Sequence, residues 1–152
     1  MKSYRELYVY KNSKSLAIRI HRMSLALPKY ELYEEGSQIR RSSKAVTSAI
    51  VEGYGRRNYK PEFLRYLTFA LTECDETILH LEFLFETESL KDELTYKELF
   101  EEYQQLKQNV KRLLSMGREK LAYPTKAIKI SCWLQGASFP HPYQQPATRN
   151  LY

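Results

Sequence analysis

The sequence has few cysteines and no long apolar run, and both absences narrow the class of protein. Cys74 and Cys132 are the two cysteines among 152 residues, and they are too few and too far apart in sequence for a disulfide framework. No stretch approaches 18 uninterrupted apolar residues, and the first residues lack an apolar run of signal-peptide length. We therefore expect a soluble, cytoplasmic protein that does not enter a membrane.

Sequence patterns typical of enzymes and metal sites are also missing. The three histidines, His21, His80 and His141, have no mutual spacing of a ligand set. Glu76 and His80 share a helical face, but a di-iron bundle needs Glu-x-x-His pairs on two helices. The segment Gly53–Gly55 lacks the Gly-Lys-Ser/Thr ending of a phosphate loop, and no serine lies in a nucleophile elbow. We predict no enzyme activity, no metal and no cofactor.

The net charge of +6 conceals an asymmetry along the chain. Residues 1–70 hold 14 Lys and Arg against 6 Asp and Glu, whereas residues 71–123 hold 7 against 12 and residues 124–152 hold 3 against none. The first half is therefore suited to attract polyanions, and the second half offers an acidic face. These opposite charges can meet within one chain or between copies of it.

Apolar residues at helical spacing predict four helices. The first extends from Tyr4 to Leu27 and ends before Pro28, because the residue preceding a proline disfavours helical geometry. The second is the segment Ser37–Arg57, with a narrow apolar face of small residues that allows a neighbouring backbone to approach closely. We expect Gly53 and Gly55 to end this helix.

The third predicted helix begins near Pro61, ends near Phe85 and is the most apolar segment of the protein. Cys74 lies on its apolar stripe, where a buried, unreactive thiol is expected. Thr95 and Glu98 have the spacing of a capping box and predict the start of the fourth helix. That helix carries an apolar seam with alternating spacings of four and three, which packs helices nearly antiparallel.

Four amphipathic segments with short connections predict an all-α, antiparallel up-down-up-down four-helix bundle over residues 1–123. After Pro124 the composition changes to prolines, glutamines and no acidic residue. Residues 124–152 are predicted to form an irregular tail. Two alternatives remain open for this tail: it is poorly ordered, or its apolar residues dock on the bundle or on another copy.

Basic and aromatic residues alternate around the end of the second helix and predict a surface for nucleic acid. Cations neutralise phosphates, and tyrosine rings offer stacking surfaces to unpaired bases. The residues predicted to bind nucleic acid are Arg40, Arg41, Lys44, Tyr54, Arg56, Arg57, Tyr59, Lys60 and Arg65. Glu52, Gly53 and Gly55 are predicted to have structural or interface roles, with Glu52 pairing either with Arg56 or with an arginine of a neighbouring molecule.

Two runs in the second helix give the chain a family resemblance. The runs Ser37–Arg41 and Glu52–Arg56, followed by Phe63 and Leu64, resemble the signature of bacterial four-helix bundle proteins often encoded within 23S rRNA intervening sequences. The opening segment Tyr4–Tyr10 is similar to a short motif of that family. The resemblance covers about Tyr4 to Tyr123.

The resemblance implies an antiparallel four-helix bundle that assembles into a ring of five, with no established catalytic activity. The family is similar in architecture to the accessory protein of diversity-generating retroelements, which binds reverse transcriptase and nucleic acid. RNA or DNA binding is therefore the usual proposal for its members.

Two functions remain open from the sequence. In the first, a homo-oligomer binds nucleic acid, RNA in preference to DNA, through its basic residues. In the second, the oligomer is a scaffold for a protein partner, and its arginines form salt bridges between subunits.

Overall fold

Four α-helices form the described part of the protein. The computed structural model describes residues 3–119, and within that range no β-strand occurs. A short 3-10 helix, Tyr4–Glu6, precedes the four α-helices. These are α1, Tyr8–Leu25; α2, Glu35–Gly55; α3, Lys60–Glu86; and α4, Glu93–Glu119. The predicted tail of residues 124–152 lies outside the described residues.

The helices form the predicted antiparallel up-down-up-down bundle. Each helix packs against its neighbour in the chain, and α1 closes the arrangement by packing against α4. Short connections between amphipathic helices favour this topology, because each apolar stripe then meets the next one. The prediction of an all-α four-helix bundle is confirmed.

Small residues of α2 allow α3 to approach closely, as their spacing predicts. Ser42 and Ser43 are buried, and the Thr77 hydroxyl of α3 donates to Ser42 Oγ over 2.9 Å. A Cβ added at Gly53 would lie 3.1 Å from Cβ of Tyr66. Close packing against α3 therefore requires a glycine at position 53, which lies in the last turn of the helix. Of the two glycines predicted to end α2, Gly55 is its last residue and Gly53 is not.

The fourth helix is capped by a different residue from the predicted one. It begins at Glu93, two positions before Thr95. Asp92 accepts hydrogen bonds at Oδ1 from the Thr95 backbone N–H over 3.1 Å and at Oδ2 from the Thr95 hydroxyl over 2.7 Å. Because an aspartate caps a helix as well as a serine or threonine does, the acidic residue upstream takes the role that the sequence assigned to Thr95.

The core follows the apolar stripes of the four helices. Cys74 is buried on α3, and burial, followed by the nearby charge of Asp75, raises the pKa of its thiol to about 12. This agrees with the predicted unreactive thiol. The largest fully buried side chains include Tyr103, Leu16, Ile20, Ile39, Ile50, Leu67, Leu81, Leu84, Leu99 and Leu106.

Candidate nucleic-acid interface

The bundle topology gathers basic residues at one end. The start of α1, the end of α2, the start of α3 and the end of α4 all meet there, because adjacent helices are antiparallel. We call this region the basic end. Its cations are Arg5, Lys11, Arg56, Arg57, Lys60, Arg65, Lys111, Arg112 and Arg118. In the described part of the chain, the acidic residues of the same region are Glu6, Glu52, Glu62 and Glu119.

Acidic residues gather at the opposite end. The connections α1–α2 and α3–α4 lie there, together with the adjoining helix termini. The acids of this region are Glu31, Glu34, Glu35, Glu86, Glu88, Asp92 and Glu93. The folded bundle therefore separates charge along its axis, with both halves of the sequence contributing to each end. Such a separation favours the approach of a polyanion to the basic end.

Arg57 and Tyr54 form a compact pair where α2 ends. The Arg57 guanidinium carbon lies 4.3 Å from the centre of the Tyr54 ring, and Arg57 Nη1 donates to the Tyr54 carbonyl oxygen over 2.9 Å. Among residues 3–119, no carboxylate lies at ion-pair distance from Arg57, so its contacts with a ring and a carbonyl leave the positive charge unneutralised there. One face of Tyr54 is thereby covered by Arg57.

Arg56 and Arg65 each approach an acidic residue of their own helix. Arg56 Nη1 lies 3.6 Å from Glu52 Oε2, and its guanidinium carbon lies 4.4 Å from the centre of the Tyr66 ring. Arg65 Nη1 lies 3.7 Å from Glu62 Oε1. Such exposed pairs contribute only about 0.3–0.5 kcal/mol. A phosphate group can therefore compete for both arginines.

Tyr59 and Lys60 complete the turn between α2 and α3. Tyr59 occupies the N-cap position of α3, and 73% of its surface is exposed. Lys60 is the first residue of α3, and within residues 3–119 it has no carboxylate at ion-pair distance. An exposed aromatic ring beside a cation is the arrangement by which proteins hold unpaired bases and their phosphates. Gly55, at the end of α2, is exposed, and an added Cβ there would meet nothing within 4 Å.

Arg40, Arg41 and Lys44 lie far from the basic end, so the structure divides the predicted residues into two groups. Arg56, the residue that follows α2, is fifteen positions after Arg41, which is about 22 Å along a helix. Arg40 is half-buried; its Nη1 donates to Ser24 Oγ over 3.2 Å and its Nη2 to the Leu32 carbonyl oxygen over 2.6 Å. These two bonds hold the α1–α2 connection against α2.

Arg41 and Lys44 are exposed on α2. Arg41 lies near Glu73 of α3, whose pKa is raised by partial burial and by Glu76 while Arg41 acts in the opposite direction. Opposite charges also meet elsewhere within the chain. Arg19 of α1 pairs with Glu98 and Glu102 of α4, and Lys107 of α4 pairs with Asp75 of α3.

Sequence reasoning missed the contribution of α1. This helix carries Lys11, Lys14, Arg19 and Arg22 but no aspartate or glutamate in its 18 residues. The absence of acidic residues from α1 was the sequence signal that could have identified this helix as part of a basic surface. Lys14 and Arg22 line an open groove together with Lys44 of α2, and we call it the α1–α2 groove. Lys44, predicted as part of one surface with Arg56, instead belongs to this groove.

The predicted proximity of Glu76 and His80 is present, with a second acid beside it. His80 Nδ1 lies 2.6 Å from Glu35 Oε2, and His80 Nε2 lies 3.6 Å from Glu76 Oε1. Within residues 3–119, no group of three or more His, Cys, Asp or Glu side chains is placed to hold a metal ion. The hydrogen bond between His80 and Glu35 therefore joins α3 to the start of α2.

The fold and the charge distribution define the class of protein as an all-α four-helix bundle with one strongly basic end. A family model described as 23S rRNA-intervening sequence protein matches residues 5–112. The chain belongs to this family, as the runs Ser37–Arg41 and Glu52–Arg56 predict. No curated protein matches the chain.

A solved structure shares the fold. It is the 1.70 Å crystal structure of a protein with unknown function from the S23 ribosomal protein family of Bacteroides thetaiotaomicron. The TM-score is 0.65 and the sequence identity 23%, with 70% of this chain and 95% of that chain covered.

No described helix of the present chain combines the length and the apolar character needed to cross a membrane.

Proposed function

We propose that this protein is a non-enzymatic, oligomeric four-helix bundle that binds RNA in the bacterial cytoplasm. The observation that carries the proposal is the basic end, where cations from all four helices meet and acidic residues are few. The family's association with 23S rRNA intervening sequences supports RNA as the nucleic acid.

In this function, the basic end supplies phosphate contacts and an aromatic surface. Arg56, Arg57, Lys60 and Arg65 neutralise backbone phosphates, and the release of counterions from the RNA drives association. Tyr59, the most exposed ring of the turn, stacks on an unpaired base. Single-stranded loops are the preferred target, because their bases are open to stacking.

Binding is tested by titrating the full chain into fluorescently labelled RNA and following anisotropy at several salt concentrations. A single-stranded RNA, a hairpin RNA and DNA of matching sequence provide the comparison. We expect RNA to bind more tightly than DNA, and the logarithm of the association constant to fall linearly with the logarithm of salt concentration. An absence of RNA binding at low salt would overturn the proposal.

The oligomeric part of the proposal rests on an apolar stripe of α3. Phe69, Leu79 and Phe83 are all exposed on the side of α3 opposite its core stripe, where Thr72 and Glu76 interrupt the apolar surface. An exposed apolar stripe on a long helix is typical of a subunit interface. With the family resemblance, we infer that a homopentamer buries this stripe.

Light scattering with Leu79→Glu tests this interface. The variant should shift the protein towards monomer, because it places a charge among apolar side chains, while Gln105→Glu on exposed α4 should leave the mass unchanged. A monomeric wild-type protein would refute the oligomer.

A scaffold for a protein partner is the second candidate function, and the acidic end favours it. The basic end of one copy can pair with the acidic end of another, which would occupy Arg56 and Arg57 in subunit contacts. Light scattering of the Arg56→Ala/Arg57→Ala variant separates the two functions. Loss of the oligomer supports the scaffold, whereas loss of RNA binding by an intact oligomer supports RNA recognition.

A further inference from the structure

The α1–α2 groove lies on the outer surface between two antiparallel helices. The bond from Arg40 to Ser24 fixes their register. Moving one helical turn along α2 therefore places Lys44 opposite His21. The groove has a volume of about 470 Å³. Its lining consists of Lys14, Ala17, Ile18, His21, Arg22, Lys44, Thr47 and Ser48.

The charge of the α1–α2 groove is of one sign. Lys14, Arg22 and Lys44 line it, and no carboxylate of residues 3–119 does. In contrast to Arg56 and Arg65 of the basic end, these three cations have no acidic partner at ion-pair distance among the described residues. Three unneutralised cations around one groove attract an anion more strongly than three paired ones.

Two polar atoms of the groove residues are buried without a hydrogen-bond partner within residues 3–119. They are His21 Nδ1 and Thr47 Oγ1. Elsewhere in the bundle, helical threonines such as Thr68 and Thr72 donate to the carbonyl oxygen one turn earlier, over 3.0 and 3.2 Å. Thr47 makes no such bond. A buried polar group without a partner is destabilising, so a ligand that satisfies it gains affinity.

We propose that the α1–α2 groove binds a phosphate group of the RNA backbone. Lys14, Arg22 and Lys44 neutralise the phosphate, while the Thr47 hydroxyl and the Nδ1–H tautomer of His21 donate hydrogen bonds to its oxygens. The identification of the ligand as RNA rests on the proposed function, whereas the preference for a phosphate oxyanion rests on the residues of the groove itself. The exposed lysine and arginine side chains of the rim change rotamer to admit the phosphate, a motion of picoseconds to nanoseconds.

The position of the α1–α2 groove connects it to the basic end. A second, smaller depression adjoins it along α1 and is lined by Arg5, Tyr10, Lys11, Lys14, Ser15 and Ile18. Lys14 and Ile18 line both depressions. A strand whose phosphate occupies the groove therefore continues over Lys11 and Arg5 to the basic end.

The test compares groove variants with matched variants outside the groove. Lys14→Gln, Lys44→Gln and Thr47→Val are measured by RNA anisotropy across salt concentrations, with Lys29→Gln and Lys91→Gln as controls at the acidic end. Thr47→Val keeps the shape and branching of the side chain but removes the hydroxyl. Circular dichroism melts verify that each variant is folded. A second arm titrates inorganic phosphate while the imidazole signals of His21 are followed by NMR.

The expected result is specific to the groove. Each lysine variant should weaken RNA binding and lower the magnitude of the salt slope by up to about one, because the three cations share one phosphate. Thr47→Val should weaken RNA binding several-fold with an unchanged slope, and both control variants should resemble the wild type. Phosphate should shift the His21 signals at millimolar concentrations in the wild type and less in Lys44→Gln.

The remaining outcomes separate this proposal from the proposed function. RNA binding that groove variants leave unchanged, while variants of the basic end weaken it, would overturn the groove and leave the proposed function intact. Absence of RNA binding together with a phosphate-dependent shift of His21 would support a site for free phosphate and overturn the proposed function. Absence of both responses would overturn both.

Discussion

The guanidinium of Arg40 reaches back across the α1–α2 connection and donates from Nη2 to the carbonyl oxygen of Leu32 over 2.6 Å. Its neighbour Arg41 is exposed. Two consecutive arginines of one helix thus have different environments, because successive residues point about 100° apart around the axis.

This difference predicts different effects of the two alanine substitutions. Arg40→Ala removes the bonds to Ser24 and Leu32, and it should lower the free energy of unfolding by about 1.5–3 kcal/mol. Arg41→Ala should change it by less than about 0.5 kcal/mol. Urea denaturation measures both. Equal losses in the two variants would contradict the structural role of Arg40.

The two glycines at the end of α2 provide a second matched pair. Gly53→Ala places a methyl group 3.1 Å from Cβ of Tyr66, an atom fixed to the backbone of α3, and should destabilise the protein by about 1–3 kcal/mol. Gly55→Ala meets nothing within 4 Å and should be neutral or stabilising by up to about 1 kcal/mol. Thermal denaturation gives both values. A stabilising Gly53→Ala would show that the α2–α3 contact is looser than described.

The cap of α4 should contribute to the pH dependence of stability. The hydrogen bonds from Thr95 lower the pKa of Asp92 in the folded protein. The stabilising effect is therefore complete above the pKa of the unfolded chain, about 4, and is lost as the pH falls through the lower folded pKa. Asp92→Asn should melt below the wild type at pH 7, with the difference in Tm disappearing near pH 2. A difference that is independent of pH would exclude the carboxylate as its cause.

Burial of Cys74 predicts an unreactive thiol. Since burial raises its pKa to about 12, almost no thiolate is present at pH 8. In a Cys132→Ser background, Cys74 should react with Ellman's reagent only after unfolding by urea. Rapid reaction of the native protein would show that α3 opens or packs differently.

The sequence predicts the number and order of helices well, and the reasons lie in local chemistry. Two local signals define α3: the apolar stripe around Cys74 and the proline at position 61 in its first turn. Each signal depends on residues within one or two helical turns of one another. The cap by Asp92 was missed because Thr95 offered an equally good local pattern. Local patterns therefore define helices more reliably than their first residues.

The candidate site could be predicted only in part. Arg56, Arg57, Tyr59 and Lys60 are neighbours in the chain, so their proximity follows from the sequence. Lys14 and Lys44 lie on different helices and line the same groove. Their proximity depends on the register of α1 against α2, which the hydrogen bond from Arg40 to Ser24 fixes. No spacing within one helix carries that information.

The most direct measurement of the central claim is the salt dependence of RNA binding in two variants of equal net charge. In one, Arg56, Arg57 and Lys60 of the basic end become glutamine; in the other, Lys29, Lys91 and Lys97 near the acidic end do. The account predicts that the first variant loses about three units of salt slope and most of its affinity, while the second retains both. Equal losses in the two variants would show that net charge alone attracts RNA and would contradict a basic end built for it.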